Sequence, residues 1–334
     1  MGPRFDQKIV IVTRPTQLAS LRRKFNTRSQ AKFYVKRAKL QELAKAGTDS
    51  RVAEKLAEQA FVDLDEAAQV YDSSVQQLQQ DLDFSDFDLP VQTIDRDFLP
   101  NFLFGPKDIV VTVGQDGLVA NTAKYAVGLS IVAVNPDPER IDGVLLPFKT
   151  NTARAAVRGV LQGKARHREV TLAEAVLADG QKLLAFNELF VGSQTHVSAR
   201  YRLTFAGRSE PQSSSGILVS TGAGSTGWLS SVFNMAAGVA ALLGRPAKKE
   251  TLRFDWEDPR LAYVVREPFV SKTSQANLTA GLLEPGQEIA IESDMAAHGV
   301  IFSDGIEADA LEFNAGAIAR VRAAEGKARL VVPG

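Results

Sequence analysis

The sequence predicts an N-terminal α/β domain built on a parallel sheet, followed by a mostly antiparallel, β-rich domain. Two observations carry this. First, strand-like β-branched runs in the first 140 residues are joined by helical segments. The stretch 108–135 reads strand, helix, strand with short joints, which favours a parallel pair. Second, the pattern beyond Pro136 changes to short alternating runs separated by turn dipeptides. A chain of 334 residues that is 45% hydrophobic has material for two cores. The expected division is 1–140, 141–315, and a C-terminal strand within 316–334 that could return to the first domain.

Taken in order, "KIVIV" (Lys8–Val12) is a short apolar run and reads as a buried strand. Thr13 to Asn26 reads as loop and short helix. From Thr48 to Leu89 there is neither proline nor glycine. Leu56, Ala60, Leu64, Ala67, Tyr71, Val75, Leu78 and Leu82 recur there every three or four residues, the stripe of an amphipathic helix, interrupted at most once. "SDFDLPVQTIDRDFLPNFLFGPKD" reads as a connecting loop. "DIVVTV" is the second buried strand, "GLVANTAKYAV" a helix and "LSIVAVN" the third strand. Further on, "KLLAFNELFVG", "HVSARYRLTFAG", "GILVST", "RLAYVV", "QEIAIES" and "GVIFSDG" are the alternating runs. Asp179-Gly180, Ala206-Gly207, Pro285-Gly286 and Asp304-Gly305 mark turns between them. Trp228 to Leu243 reads as a helical insert.

Composition excludes several classes. Lys+Arg and Asp+Glu balance at 39 each, so whole-chain charge gives no reason to expect nucleic acid or a membrane surface as partner. Charge is uneven locally: residues 1–50 hold 12 basic and 3 acidic side chains, and residues 51–100 hold 3 and 12. Those segments either lie against each other or present solvated helix faces. The chain has no cysteine, which removes disulfides, thiolate metal sites and thiol nucleophiles. The three histidines, His167, His196 and His298, are dispersed, and no protein-built metal site is expected. No apolar run approaches the roughly 20 residues of a membrane span. The first strand begins at residue 8, leaving no room for a leader in this sequence, and a cytoplasmic location is the expectation.

The chemistry concentrates where the second strand becomes a helix, in Gly114-Gln115-Asp116-Gly117. A strand end followed by glycine and a helix start offers free N–H groups to phosphate. A carboxylate there would repel phosphate unless it holds Mg²⁺ or takes a proton from an attacking hydroxyl. An ordinary tight turn is the alternative.

"VTVGQDGLVANT" resembles the Gly-Gly-Asp-Gly signature shared by NAD kinases and by diacylglycerol and sphingosine kinases. "FNELFVG" (186–192) is similar to the Asn-Glu motif of NAD kinases. "SSGILVSTGAGSTGW" (214–228) is similar to their Ser-Thr-Pro-Thr-Gly-Ser-Thr-Ala-Tyr block. "VNPDPERIDGVLLPF" (134–148) is similar to a segment of the mitochondrial-type NAD kinases. Order and approximate spacing agree, over roughly residues 105 to 325.

The resemblance implies an NAD kinase-like fold and an ATP-dependent kinase, with Mg²⁺, that phosphorylates the adenosine-ribose 2′-hydroxyl of NAD to give NADP. In that reading Asp116 is the general base, and Gly114 and Gly117 open the loop to polyphosphate. Asn187 and Glu188 hold NAD, and Ser215, Thr221, Ser225, Thr226, Gly227 and Trp228 line its pocket. A homodimer or homotetramer follows from the same resemblance. Asn135 would tie the phosphate loop to its neighbour.

This chain also departs from the pattern. Gln115 replaces a glycine, with negative φ expected. Gly222-Ala223 replace Pro-Thr, which should loosen that loop. Ser215 replaces an aspartate and Trp228 a tyrosine, as in the mitochondrial type. Two other readings stay open: a kinase acting on a sugar or lipid-headgroup hydroxyl, and a non-catalytic NAD(P)-binding regulator.

Overall fold

The computed structural model describes residues 7–83, 87–245 and 252–334. The chain divides into two compact units. One comprises 1–119, 132–166 and 331–334, and the other 120–131 and 167–330.

In the first unit, β1 (Ile9–Thr13) pairs in parallel with β2 (Val91–Asp95) on one side and β3 (Ile109–Val113) on the other. Next to β3 comes β4 (Ser130–Asn135), and β4 pairs in parallel with β5 (Phe148–Lys149). Every residue of β3 and β4 is buried. That is why their sequences are continuous apolar runs: a parallel strand covered on both faces has no solvent side to alternate with.

The helices of this unit are α1 (Gln17–Phe25), α2 (Arg28–Lys45), α3 (Ser50–Asp83), α4 (Asp116–Ala123), which runs past residue 119, and α5 (Thr150–Leu161). The Thr16 and Thr27 hydroxyls accept N–H groups at the starts of α1 and α2, and Asp49 accepts from Arg51 and Val52 at the start of α3. Tyr71, Leu78 and Leu82 of α3 and Ala153 and Val157 of α5 pack on Ile9, Ile11, Ile109, Val111 and Val132.

Two expectations change here, and a third point, left open by the sequence, is decided. The stripe runs through one uninterrupted helix, but its N-terminal half turns Ala53, Ala57 and Phe61 inward and leaves Leu56 exposed. The reason is α2, absent from the sequence reading. Phe61 and Ala68 pack with Leu18 of α1 and Val35 of α2. The second change is β2, in a segment read as loop: it is an edge strand that buries only Ile94 and so lacks an apolar run. Residues 84–86, where the expected helix passes into that loop, lie outside the described residues. The third concerns charge. The basic and acidic segments do lie against each other, with Arg28 on Asp65 (2.8 Å) and Lys32 and Lys36 both on Glu58. Those two lysines hold the Glu58 carboxyl down to about 2.

The second unit contains β6 (Arg166–Leu177), β7 (Lys182–Ala185), β8 (Glu188–Ser193), β9 (Ala199–Phe205), β10 (Arg208–Ser214), β11 (Ile217–Ser220), α6 (Trp228–Leu242), β12 (Leu261–Val265), β13 (Ala280–Leu283), β14 (Glu288–Ser293), β15 (Gly299–Ser303), β16 (Ile306–Glu312) and β17 (Ile318–Val332). One sheet runs β10-β9-β14-β17, with β6 against β17 and β7 against β6; the other runs β13-β12-β11-β8-β15-β16. The pairs β10-β9, β9-β14, β14-β17 and β6-β7, and all those of the second sheet, are antiparallel. Tyr201, Leu203, Ile289 and Ile291 of the first sheet share a core with Val191, Ile217, Val219 and Ile301 of the second. The antiparallel, β-rich expectation holds.

The four expected turns form. In Ala206-Gly207 and Asp304-Gly305 both residues are left-handed (φ 50° and 76°, 53° and 70°), as a tight hairpin turn requires. β10 escaped the sequence reading because it is polar and holds Pro211, which an edge strand tolerates. No helix among the described residues is long and apolar enough to cross a membrane.

Candidate functional site

In the first unit, α4 begins at Asp116, just beyond the carboxyl end of the buried strand β3. Gly114 is fixed by its N–H, which donates to the Val134 carbonyl at 3.2 Å. A Cβ there would press on Leu118 (3.0 Å) and Arg14 (3.3 Å), whereas a Cβ on Gly117 would meet nothing within 4 Å. None of Gly114, Gln115 and Gly117 has a positive φ, so Gln115 is accommodated without strain and neither glycine serves a left-handed turn. Gln115 and Gly117 are exposed and Asp116 is half-buried.

The Asp116 carboxylate accepts the N–H of Leu145 at 2.9 Å and of Val144 at 3.2 Å. An ionised carboxylate has roughly four acceptor positions, so two remain. The donors sit on a loop that Asn135 folds. Its Nδ2 donates to Ile141 O (2.8 Å) and its Oδ1 accepts from Asp137 N (3.0 Å). Asn135 thus acts on the 114–117 loop indirectly, by shaping the segment whose amides hold Asp116, rather than by bonding to that loop itself.

A cavity of about 340 Å³ opens where β1, β3 and β4 end, bordered by Arg14, Tyr71, Gln115, Asp137 and Arg140. The carboxyl ends of parallel strands are the usual ligand crevice of α/β sheets. Tyr71 braces it: its hydroxyl donates to Val113 O (3.1 Å) and accepts from Arg14 N (2.8 Å), and burial raises its pKa. The Arg14 guanidinium lies 5.3 Å from the Tyr71 ring centroid, and its buried Nε has no hydrogen-bond partner. Arg140 is instead committed to Asp137 and Glu66.

Among the described residues no three His, Asp or Glu side chains gather as a metal site. A Mg²⁺ ion prefers one or two carboxylates plus substrate phosphates, and the free positions of Asp116 fit that mode.

In the second unit the Asn187–Glu188 segment and the 221–225 loop meet. Thr221, fully buried, donates its hydroxyl to Phe186 O (2.6 Å) and Asn187 O (3.1 Å), and its N–H to Asn187 O (2.9 Å). Ser225, also buried, donates its hydroxyl to Gly222 O (2.7 Å). Both hydroxyl protons are spent on backbone. Thr226 and Gly227 are exposed at the loop's end, before Trp228 opens α6. This loop is not loose, contrary to expectation. A Cβ on Gly222 would lie 1.8 Å from Asp255 O, and one on Gly224 2.2 Å from Asn187 O. Its glycines serve close backbone contact.

Asp304, at the β15–β16 turn, supplies what sequence reasoning missed. Its carboxylate accepts from Phe186 N (2.9 Å), Asn187 N (2.6 Å) and Glu188 N (3.2 Å), while its own N–H donates to Glu188 O (3.0 Å). The Asp-Gly dipeptide signalled a turn, not this clamp. Burial, and secondarily the Asp304 charge, pushes Glu188 up to about 7.

Ser215 and Trp228 border a separate cavity of about 360 Å³ in this unit. Its floor is aromatic: the Phe190 ring stacks on Trp228 (5.6 Å, 11°) and on Phe302 (4.9 Å, 30°). Gly192 and Gly216 make room for it, since a Cβ on either would fall 2.6 Å from the Phe190 ring. Arg266 lies 5.2 Å from the Trp228 ring centroid. Aromatic faces beside a guanidinium and hydroxyls suit a base with a neighbouring anion.

No protein-family model matches the sequence, and no curated protein is detectably similar to it. Solved structures are similar in fold. Yeast NADH kinase, in complex with NADH, superposes with a TM-score of 0.55 at 15% identity, covering 99% of this chain and 85% of that one. An NAD kinase from Archaeoglobus fulgidus, in complex with ATP, gives 0.52 at 16% identity, covering 77% and 88%. The chain has an NAD kinase-like fold.

Proposed function

We propose that this protein is an ATP-dependent kinase that phosphorylates the adenosine-ribose 2′-hydroxyl of NAD, giving NADP. The observation that carries the reading is Asp116: a carboxylate on the first turn of a helix, at the carboxyl end of a buried strand, aimed by two amides and keeping free acceptor positions. The fold it shares with an NADH kinase and an NAD kinase supports the substrate class.

Asp116 takes the 2′-hydroxyl proton as that oxygen attacks the γ-phosphorus. The bond from that phosphorus to the β,γ-bridging oxygen breaks, and ADP leaves. A base of this kind contributes about 10²–10⁴ in rate. Gly117 leaves surface open for polyphosphate, and the Arg14 guanidinium offers a cation there. Mg²⁺ bound with ATP would supply neutralisation of phosphate charge, and the Asp116 oxygen not facing the hydroxyl would be the carboxylate that holds it. Asn187 and Glu188 hold NAD, the latter through ribose hydroxyls, and Ser215, Thr226, Gly227 and Trp228 meet it at the surface of their loops. Thr221 and Ser225 shape the loop. The protein works as a cytoplasmic homodimer or homotetramer.

The test is incubation with ATP, Mg²⁺ and NAD, read by an NADP-specific dehydrogenase. Formation of NADP that depends on all three is expected. ATP consumption with a sugar or lipid headgroup but not with NAD would replace the acceptor, and NAD binding without turnover would replace the activity.

A further inference from the structure

Asp304 lies outside the chemistry of phosphoryl transfer, yet its carboxylate accepts three consecutive N–H groups, those of Phe186, Asn187 and Glu188, at 2.6–3.2 Å. The carbonyls of the same segment are bound from the other direction by Thr221, whose N–H and hydroxyl reach Asn187 O and whose hydroxyl also reaches Phe186 O. Three amides in a row converging on one carboxylate cannot be satisfied by a regular strand, in which successive N–H groups point to opposite sides. The chain at 186–188 therefore departs from a regular strand, and the Asp304 carboxylate is what satisfies its three N–H groups.

Resting on the kinase reading above, we propose that Asp304 is a positioning residue for dinucleotide binding, presenting the Asn187 and Glu188 side chains in the geometry that grips NAD. Residues just after α4 contact the Asp304 turn and the strand that follows it. Lys124 donates to Ser303 Oγ (2.7 Å) and pairs with Asp309 (2.8 Å), and Tyr125 bonds Asp309 as well. Lys124 is almost fully buried, so this pair is rigid rather than a surface tether.

The clamp also acts through charge. Asp304 is the charged group that acts on Glu188, raising it after burial has done the larger part. Asp304 feels Lys124 in turn, and Tyr125 and Asp309 complete the set around that lysine. Replacing the aspartate by its neutral isostere should therefore loosen the segment and lower the Glu188 midpoint together. A merely structural residue would change the first and leave the second.

The experiment compares wild type, Asp304→Asn and Ser303→Ala. Amide hydrogen exchange on the unliganded proteins should show the 186–188 amides of Asp304→Asn exchanging about tenfold faster or more, since hydrogen bonds to a charged acceptor are being weakened. β1 should be unchanged. Ser303→Ala, which keeps the carboxylate, should leave 186–188 protected. A ¹³C-carboxyl titration, with Glu188 assigned from Glu188→Gln, should place its midpoint near 7 in wild type and lower in Asp304→Asn. Kinetically, KM for NAD should rise about tenfold with kcat changed less than threefold. Unchanged exchange at 186–188 would overturn the proposal, as would faster exchange with an unchanged KM for NAD. The exchange and titration need no substrate. Their success alongside a wild-type protein that turns over no NAD would sink the kinase reading and leave the clamp.

Discussion

Replacing Asp116 by asparagine separates its two duties, general base and anchor of the 143–146 loop. The carboxamide keeps one oxygen for an amide and turns an NH₂ toward the other. One of the two bonds, to Val144 N or Leu145 N, is lost and two donors are left facing each other. A hydrogen bond to a charged group contributes about 1.5–3 kcal/mol. Asp116 is half-buried, so about 1–2 kcal/mol is the expected loss. Against a folding free energy of about 5 kcal/mol, the low end of the usual range, this leaves about 99% of the protein folded. Misfolding then accounts for about 1% of lost rate or less, while loss of the base accounts for about 10²–10⁴. The assay is initial rate with saturating ATP and NAD, with urea unfolding on the same preparation. The expected result is a kcat at least about 100-fold lower with both KM values within about threefold. Asn135→Ala supplies the control. It unties the same loop by removing the bonds to Ile141 O and Asp137 N but spares the carboxylate, and should keep kcat within about tenfold. An Asp116→Asn enzyme within a factor of about five of wild type, or an Asn135→Ala enzyme equally dead, would refute the base.

Three other outcomes follow from the geometry. Gly224→Ala should cost at least the roughly 1–3 kcal/mol of overpacking, because its Cβ would meet the Asn187 carbonyl backbone, which cannot rotate away; Gly117→Ala should raise stability by about 0.4–1 kcal/mol while weakening ATP binding. Urea midpoints and KM for ATP check the pair, and a neutral Gly224→Ala would refute the close approach. Tyr71→Phe leaves Val113 O and Arg14 N without their partner and should cost about 1–3 kcal/mol in urea unfolding. Glu188 titrates near 7 when folded, above its ordinary 4.5, so the folded state binds the extra proton and loses stability as pH rises from about 4.5 to 7. Binding of ribose hydroxyls needs the carboxylate, so KM for NAD should fall over the upper part of that range; Glu188→Gln should flatten both profiles.

What the sequence revealed and what it hid divide along one physical line. Strands β1, β3 and β4 were legible because burial on both faces demands uninterrupted apolar runs, and the hairpins because left-handed turns demand glycine or a short polar residue. Helix α2 was not legible: it buries little beyond Ala31 and is held by ion pairs to α3, which leave no periodic apolar mark. The register of the α3 stripe depends on that neighbour, so Leu56, on the stripe by periodicity, lies outside. In the candidate site, Gly-Gln-Asp-Gly and Asn-Glu could be read because their chemistry is local in sequence. The amides of Val144 and Leu145 could not, since any residue but proline supplies an N–H. Nor could the tightness of the 221–225 loop: Gly222 and Gly224 look like flexibility until Asp255 O and Asn187 O are seen where their side chains would be.

The same device, an aspartate receiving backbone N–H groups, occurs in both units, and a count of acceptor positions separates its uses. Asp116 receives two donors, one on each oxygen, so each oxygen keeps a lone pair for a hydroxyl proton or a cation. Asp304 receives three, with both positions on Oδ1 filled and only one left on Oδ2. An aspartate that must react cannot be used up by its supports, and one that must shape a segment gains from being so. A third donor at Asp116 would leave a single open position, to be shared by the hydroxyl proton and any cation. Substituting Val144 or Leu145 should alter rate only by moving their N–H groups, so Leu145→Met, which keeps the amide and the volume, should retain kcat within about threefold.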